Sequence, residues 1–407
     1  MIEGLARAAA PGLTASPGPR YFGFVTGGAV PAALAADWLA SAWDQNSFSA
    51  ISSPAAAVVE EVAAGWLLDL LALPRGASVG FTTGAQMANV VGLAAARHAL
   101  LAGEGWDVEE RGLSGAPPLR VFAGAEAHVT VFRALRLLGI GRVAVEVVRV
   151  DAQGRMDGGA LTAALRKGSG PAIVCAQAGN VNTGAFDPLV EIVEAARESA
   201  AWVHVDGAFG LWAAASPSLA SLCAGVADAD SWATDGHKWL NVPYDCGVVA
   251  VRDPEHHRAA MSMTAAYLVA GGVGDRSNSD YVPEASRRGR GFAVYAALRS
   301  LGRSGIAELV ERNCALAARL AAGVSGITGI EVLNDVVLNQ VLLRFGADDA
   351  TTDDVIARVQ EDGTCWVGGT RWQGVAAMRV SVSNWSTTEA DIDRSVEAIV
   401  RAAGAVR

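Results

Sequence analysis

Lysine is nearly absent from this chain of 407 residues. Of its 32 basic residues only Lys167 and Lys238 are lysines, and the others are arginines. Lys167 lies in the polar stretch RKGSG, as expected of a solvated loop, whereas Lys238 lies between His237 and Trp239. Arginine can replace lysine as a surface charge, but its guanidinium keeps its proton and cannot act as an amine nucleophile. The retained Lys238 therefore indicates either a chemical role or a lysine that packs its stem at the end of a strand or helix.

Long apolar runs, paired cysteines and an excess of positive charge are also missing. No run reaches the roughly 18 apolar residues that span a bilayer, and MIEGLARAAAPGLTASPGPR lacks the apolar core of a secretory signal, so we expect a cytoplasmic protein. The five cysteines are scattered and form no CxxC pair, which argues against a disulfide framework and a metal site. The net charge of −10 argues against a nucleic-acid partner.

Apolar patterns predict one large domain and one smaller domain. Hydrophobic residues make up 51% of the chain and charged residues 18%, which is enough for a large core. Short strand-like runs alternate with helical ones over about 180 residues, which is typical of a mostly parallel α/β sheet. Long helices and a second alternating segment follow. We predict an N-terminal segment at 1–50, a large domain at 51–300 and a small domain at 301–407.

Several polar residues follow the predicted strands directly. Asp206 ends the apolar run WVHVD, Asp235 ends SWATD, and Lys238 lies just beyond it. The turn TTGAQ at 82–86 opens a helix. Because ligands of an open parallel sheet bind at the carboxyl ends of its strands, we expect these elements to meet in one crevice.

A buried carboxylate and an isolated lysine at neighbouring strand ends form the pattern that pyridoxal phosphate requires. The lysine binds the cofactor as a Schiff base, and the acid keeps the pyridine nitrogen protonated. An acid such as Asp206 needs a cationic partner, because burial of an unpaired charge is costly. The N-terminus of the helix after the turn at 82–86 can hold the phosphate. We therefore predict a pyridoxal-phosphate enzyme in which Lys238 carries the cofactor.

The sequence resembles group II pyridoxal-dependent amino-acid decarboxylases, the family of aromatic-L-amino-acid and glutamate decarboxylases. The resemblance runs from residue 19 to the C-terminus and includes GFTTGAQMANVVGLAAAR, AEAHVTVFRALRLLGIG, HVDGAFG and DSWATDGHKWLNVPYDCG. It implies the type I (aspartate aminotransferase-like) α/β fold, with a mostly parallel seven-stranded sheet, a small C-terminal α+β domain, and a homodimer with sites at its interface. The implied reaction is decarboxylation of an L-amino acid to the amine and carbon dioxide, through a Lys238 aldimine and a quinonoid.

The resemblance also implies individual roles. Lys238 is expected to bind the cofactor, Asp206 to pair with its ring nitrogen, and His128 to stack on its ring and take part in catalysis. Tyr267, in a segment with the glycine content of a mobile loop, matches the family's proton-donating tyrosine. Further cofactor contacts are expected at Gly84, Ala85, Gln86, Ala208, Asp235 and His237. Substrate contacts are expected at Phe24, Val25 and Arg379.

Two departures from the family pattern remove hydroxyl groups. Gln86 stands where serine is frequent, and Asn180–Val181 stands where two threonines are usual, so we expect weaker cofactor binding or a site reshaped for another substrate. The cofactor motifs also fit aldehyde-forming oxidative deamination, lyase or aminotransferase chemistry, and a non-catalytic homologue is a further alternative. Tyr267 favours decarboxylation, because aldehyde-forming relatives tend to carry phenylalanine there.

Two polar pairs are interpreted as structural. His256–His257, in the turn-like stretch DPEHHR, is expected to lie in solvent. Arg287–Arg288 is expected to brace the small domain.

Overall fold

The structure, a computed structural model, describes residues 1–263 and 277–406. In this part of the chain the strands form one seven-stranded and one four-stranded sheet. No helix of the described residues is both long and apolar enough to cross a bilayer.

The larger sheet carries the candidate site. Its strands are β1 (Ser78–Thr82), β2 (Arg120–Gly124), β3 (Val145–Val148), β4 (Ala172–Gln177), β5 (Trp202–Asp206), β6 (Ser231–Asp235) and β7 (Gly247–Val251). The order is β1-β7-β6-β5-β4-β2-β3, and β7 is antiparallel to both of its neighbours. The remaining pairs are parallel. The predicted mostly parallel seven-stranded sheet is confirmed.

Helices cover this sheet and bury it on both faces, as parallel sheets require. The helices up to residue 261 are α1 (Ile2–Ala9), α2 (Pro31–Trp43), α3 (Pro54–Leu70), α4 (Ala85–Gly103), α5 (Val108–Arg111), α6 (Val129–Leu137), α7 (Gly158–Arg166), α8 (Leu189–Glu198) and α9 (Pro254–Met261). Of these, α1 buries no side chain and does not take part in covering the sheet. Helix α3 begins where Ser53 accepts a hydrogen bond from the Ala56 N–H, with Pro54 in its first turn. Helix α4 packs across β5, β6 and β7. Its N-terminus lies at the carboxyl end of β6, where the Ala85 N–H contacts Asp235.

The C-terminal part has its own sheet and core. Strands β8 (Ile330–Val332), β9 (Gln340–Phe345), β10 (Gly368–Trp372) and β11 (Val375–Ser381) pair antiparallel in the order β10-β11-β9-β8. The accompanying helices are α10 (Gly291–Val324), α11 (Asp349–Asp362) and α12 (Glu389–Gly404). Helix α10 is interrupted at Gly302, where φ is 63°. This break lies beside the predicted boundary at 300/301, and the three predicted domain ranges stay a prediction.

The pairs His256–His257 and Arg287–Arg288 both contain side chains that lie elsewhere than expected. His257 is fully buried, with Nδ1 2.8 Å from Ser78 Oγ and Nε2 3.0 Å from the carbonyl oxygen of Tyr281. Its predicted exposure was wrong, because the helix α9 packs against α4 and turns this side chain inward.

The arginine pair braces the large domain's helices, contrary to the expected contact with the small domain. Arg287 forms an ion pair with Glu60 of α3 and donates a hydrogen bond to the carbonyl oxygen of Phe81 at 3.3 Å. Arg288 pairs with Asp37 of α2 at 2.6 Å.

Removal of the Glu60 charge is expected to destabilise the fold. The Glu60 and Arg287 side chains are each only 1% exposed, so Glu60→Gln leaves a buried guanidinium without a counter-charge. We expect the free energy of unfolding, measured by urea denaturation, to fall by about 3–5 kcal/mol. Asp37→Asn makes the same chemical change in the exposed neighbouring pair, and a loss below about 1 kcal/mol is expected. Equal losses of unfolding free energy in the two variants would contradict a special role for the buried Glu60–Arg287 ion pair.

Candidate active site

A cavity of about 290 Å³ lies at the carboxyl edge of the large sheet. It lies where the β1–α4 turn and the ends of β5 and β6 meet, as the order of parallel strands dictates. All of the residues predicted to contact the cofactor line it: Gly84, Ala85, Gln86, His128, Asp206, Ala208, Asp235, His237 and Lys238. Sequence elements more than a hundred residues apart therefore converge on one site.

The amine of Lys238 is fixed by an acid from the preceding strand end. Lys238 Nζ lies 3.0 Å from Asp235 Oδ2, and His237 Nε2 lies 3.4 Å from Asp235 Oδ1. His237 Nδ1 accepts a hydrogen bond from the Cys246 N–H at 3.1 Å, so Nε2 carries the ring proton and faces Asp235. Burial lowers the pKa of His237, which favours this neutral ring. The pairing holds the lysine amine at the cavity.

Asp206 ends β5 as a buried carboxylate. Its Oδ2 accepts a hydrogen bond from Asn89 Nδ2 at 3.3 Å, and its Oδ1 accepts one from the Ala208 N–H at 3.2 Å. Within residues 1–263 and 277–406, no basic side chain forms an ion pair with it. Burial raises the pKa of Asp206, and the nearby His128 and Lys238 act in the opposite direction. A protonated ring nitrogen fits this position, because it supplies the counter-charge that the carboxylate needs.

His128 is placed by the start of α6, where it is the N-cap residue. Its Nδ1 lies 2.7 Å from Thr130 Oγ1, and burial lowers the pKa of its imidazole. A neutral ring with Nδ1 accepting the threonine proton fits an aromatic partner better than a charged imidazolium would. Ala208 also lines the cavity, and its small methyl group leaves room for a planar ligand.

The start of α4 forms the end of the cavity predicted for the phosphate. The Ala85 N–H donates to Asp235 Oδ1 at 2.6 Å, so this predicted phosphate donor is engaged by a carboxylate. Gln86 Nε2 donates to the carbonyl oxygen of Thr130 at 3.2 Å, which links the two turns that flank the cavity. Thr83 and Gln86 also line this positively polarised helix end, which suits a phosphate.

Packing beneath this turn is too close for a side chain. Gly247 of β7 pairs with Thr82 on one side and with Asp235 on the other. A Cβ atom built on Gly247 would overlap the backbone of Gly84. At the end of the cavity predicted for the phosphate, the backbone of β7 therefore packs directly against the backbone of the β1–α4 turn.

Arg379 of β11 is a half-buried cation beside the cavity. Its Nη1 lies 3.5 Å from the carbonyl oxygen of Val181, a cavity-lining residue, and its Nε has no hydrogen-bond partner among the described residues. Burial lowers the pKa of this guanidinium. A carboxylate ligand would supply the missing counter-charge.

Two of the residues predicted to contact the substrate lie outside the cavity lining. Phe24 is 66% exposed and its ring centroid lies 5.5 Å from that of Trp366, whereas Val25 is buried in the main core. Neither of these two residues is among those that line the cavity. Tyr267 lies outside the described residues. The roles assigned to these three residues stay predictions.

Two residues that shape the site are absent from the sequence prediction. Thr130 fixes the His128 ring, and Asn89 holds Asp206. The available signal for Asn89 was an amide in the otherwise apolar helical stretch MANVVGLAAA.

Comparison with known proteins identifies the family. The model of the pyridoxal-dependent decarboxylase conserved domain matches residues 1–345. Tryptophan decarboxylase 1 of Oryza sativa subsp. japonica is 30% identical over 407 residues, which cover 92% of this chain and 78% of that protein. An acidic amino acid decarboxylase of Mus musculus is 31% identical over 328 residues, which cover 77% of this chain and 58% of that protein.

A solved structure agrees with these relatives. The crystal structure of Oryza sativa TDC with PLP and tryptamine superimposes with a TM-score of 0.92 at 27% identity, covering 99% of this chain and 87% of that one. The predicted type I fold, the pyridoxal-phosphate cofactor and the carboxy-lyase class are confirmed. The chain belongs to the pyridoxal-dependent decarboxylase family.

Proposed function

We propose that this protein converts an L-amino acid to its amine and carbon dioxide, with pyridoxal phosphate bound at Lys238 and Asp206. The proposal rests on one observation: Lys238 and Asp206 line the same cavity. The buried Asp206 carboxylate has no ion-pair partner among the described residues. When bound, the cofactor supplies an electron sink for the electron pair that remains after the carboxylate leaves.

The side chains around the cavity divide the remaining work. Asp206 holds the proton at the pyridine nitrogen, because Asp235, the other predicted acid that lines the cavity, is already paired with Lys238. His128 and Ala208 line the cavity and would contact the ring of the bound cofactor. Asp235 holds the Lys238 amine at the cavity before the cofactor binds.

Arg379 is proposed to contact a substrate carboxylate. Its guanidinium is half-buried beside Val181, and no carboxylate of the described residues pairs with it. This carboxylate leaves in the proposed reaction, so a contact to it weakens as carbon dioxide forms and lowers KM without raising kcat. Arg379 therefore acts in substrate binding and orientation, and its proposed contribution is to KM.

A screen of L-amino acids tests the proposed reaction. Aromatic, acidic, basic and aliphatic substrates are incubated with the protein and pyridoxal phosphate, and amine and carbon dioxide are quantified together. Equal yields of the two products from at least one substrate are expected. Keto-acid formation would indicate an aminotransferase, aldehyde with ammonia would indicate oxidative deamination, and no product from any substrate would indicate a non-catalytic homologue.

Tyr267 is proposed as the donor of the proton that replaces the carboxylate at Cα. Tyr267→Phe is expected to bind substrate and release carbon dioxide, but to protonate Cα slowly. Dioxygen then competes for the electron-rich carbon and is reduced to hydrogen peroxide, so part of the product becomes aldehyde and ammonia. An oxygen-electrode trace beside amine quantification checks this. Wild-type amine yield without oxygen uptake in the variant would assign the proton to another group, with His128 the first to test.

A homodimer is proposed from the apolar surface of the N-terminal helices. Large exposed hydrophobic side chains cluster there in sequence: Ile2, Leu5, Trp38, Leu39, Trp43, Val58 and Trp66. Soluble monomers rarely expose so many large apolar side chains, and such surfaces mark protein interfaces. The family resemblance names a second copy of this chain as the partner.

Light scattering is expected to give twice the chain mass of 41.8 kDa. Trp38→Asp places a charge on the proposed interface, where Trp38 is 67% exposed in the single chain, and is expected to shift the mass towards that of one chain. Val143→Asp is the control, because Val143 is fully exposed outside these helices. A wild-type mass of one chain, or equal behaviour of both variants, would contradict the proposed dimer interface.

A cytoplasmic location is also proposed. All five cysteines are free thiols, and every one except Cys314 is buried, which suits a reducing compartment. Fractionation of the source cells with an antibody to the protein tests this location.

A further inference from the structure

A chain of buried side chains runs from Asp206 away from the cavity and into the protein. Asn89 Nδ2 donates to Asp206 Oδ2 at 3.3 Å, and Asn89 Oδ1 lies 2.9 Å from His204 Nε2. His204 Nδ1 lies 2.8 Å from Ser231 Oγ, which accepts a hydrogen bond from Trp202 Nε1 at 2.9 Å. Asn89, His204 and Ser231 have no solvent exposure.

Both ends of this chain impose the same direction on its hydrogen bonds. An ionised Asp206 only accepts, so Asn89 presents its NH₂ group to it and its oxygen to His204. His204 Nε2 must then donate. At the other end, the Trp202 indole only donates, so Ser231 accepts from it and keeps its own proton available for His204 Nδ1. Every link is therefore satisfied by a neutral His204 that is protonated at Nε2.

The surroundings hold His204 in this state and position. His204 and Asp206 lie two residues apart on β5 and share one face of the sheet. Gly92 of α4, three residues after Asn89, leaves space for the imidazole: a Cβ atom there would lie 2.8 Å from His204 Cε1. Burial lowers the pKa of His204 to about 3, so the ring stays neutral at physiological pH.

We propose that His204 is a positioning residue that acts through Asn89 to fix the orientation and the negative charge of the Asp206 carboxylate. Without a donor at His204 Nε2, the Asn89 amide is free to rotate and turn its oxygen towards Asp206. Asp206 then loses a hydrogen bond that favours its ionised form, and its hold on the proton of the ring nitrogen weakens. This inference rests on the proposed function, in which Asp206 is the partner of that nitrogen.

Two substitutions of His204 separate positioning from space filling. The glutamine amide can place a donor near the Nε2 position, whereas the asparagine amide reaches only the Nδ1 position. His204→Asn is therefore expected to lower kcat by about 10- to 100-fold with little change in KM. His204→Gln is expected to restore kcat to within about threefold of wild type. A role confined to packing would affect the two variants alike, in proportion to their losses of thermal stability.

The ring nitrogen gives a readout that does not depend on turnover. Protein loaded with pyridoxal phosphate that carries an isotope label at the pyridine nitrogen is examined by NMR. The nitrogen is expected to be protonated in wild type and His204→Gln, and shifted towards the neutral form in His204→Asn. A protonated nitrogen together with a kcat within about twofold of wild type in His204→Asn would overturn the proposal.

The protein without cofactor provides a second test, which needs no folded asparagine variant. Two-bond proton–nitrogen correlation spectra of its six histidines report which ring nitrogen carries the proton. His204 is expected to be protonated at Nε2 and to show no titration between about pH 5 and 8. A proton at Nδ1, or titration in this range, would overturn the proposal. If wild type binds the cofactor with a neutral ring nitrogen, or releases no amine, the proposed function fails and the inference fails with it.

Discussion

Lys238→Ala is expected to abolish both the covalent attachment of pyridoxal phosphate and the release of amine. Alanine offers no amine, and a neighbouring arginine cannot take over the role of the lysine, because a guanidinium does not act as this nucleophile. Borohydride reduction of the wild-type protein, followed by peptide mass spectrometry, is expected to place the cofactor on the peptide that contains Lys238.

The other lysine of the chain provides the matched control. Lys167 lies exposed at the end of α7, far along the sequence from the cavity-lining residues after β6. Lys167→Ala is expected to retain the visible absorption band and the rate of amine release. Reduced cofactor on Lys167, or amine release by Lys238→Ala at the wild-type rate, would refute the assignment.

Asp206→Asn is expected to bind pyridoxal phosphate at Lys238 yet turn over slowly. The amide keeps the shape of the carboxylate but not its charge, so the pyridine nitrogen loses its proton and the ring accepts electrons poorly. We expect kcat to fall on the order of a thousandfold, equivalent to about 4 kcal/mol of transition-state stabilisation. Steady-state kinetics on the substrate found by the screen, with the absorption spectrum recorded in parallel, measures both effects.

Asp230→Asn controls for the loss of a carboxylate from the same sheet. Asp230 immediately precedes β6, at the edge opposite the cavity, and accepts a hydrogen bond from the Val203 N–H at 2.8 Å. It is expected to alter stability without a comparable fall in kcat. Near-normal turnover in Asp206→Asn would show that another group holds the ring proton.

The centre of the site could be predicted because its signals are local. The rarity of lysine singles out Lys238, and the position of Asp206 at a strand end follows from the alternation of strands and helices. Since parallel strands end at one edge, their convergence is a consequence of topology. The residues so identified line one cavity.

What escaped prediction depends on pairings between distant segments. Glu60 and Arg287 are 227 residues apart, and no sequence period reveals that one buried charge meets the other. His257 lies inward because of how its helix docks, which a short polar stretch does not encode. Likewise, the positions of Phe24 and Val25 depend on how an irregular segment folds against Trp366 and the core.

Gly247 shows that a site can restrict which residue stands at a position even when that residue supplies no functional group to the site. Its missing side chain is what lets β7 lie directly under the turn that opens α4. A larger residue at this position would therefore displace the turn and weaken cofactor binding. The pairing of β7 would be affected less, because it is made by the backbone. Glycine is therefore needed at position 247 for the absence of a side chain, because a Cβ atom there would overlap the backbone of Gly84.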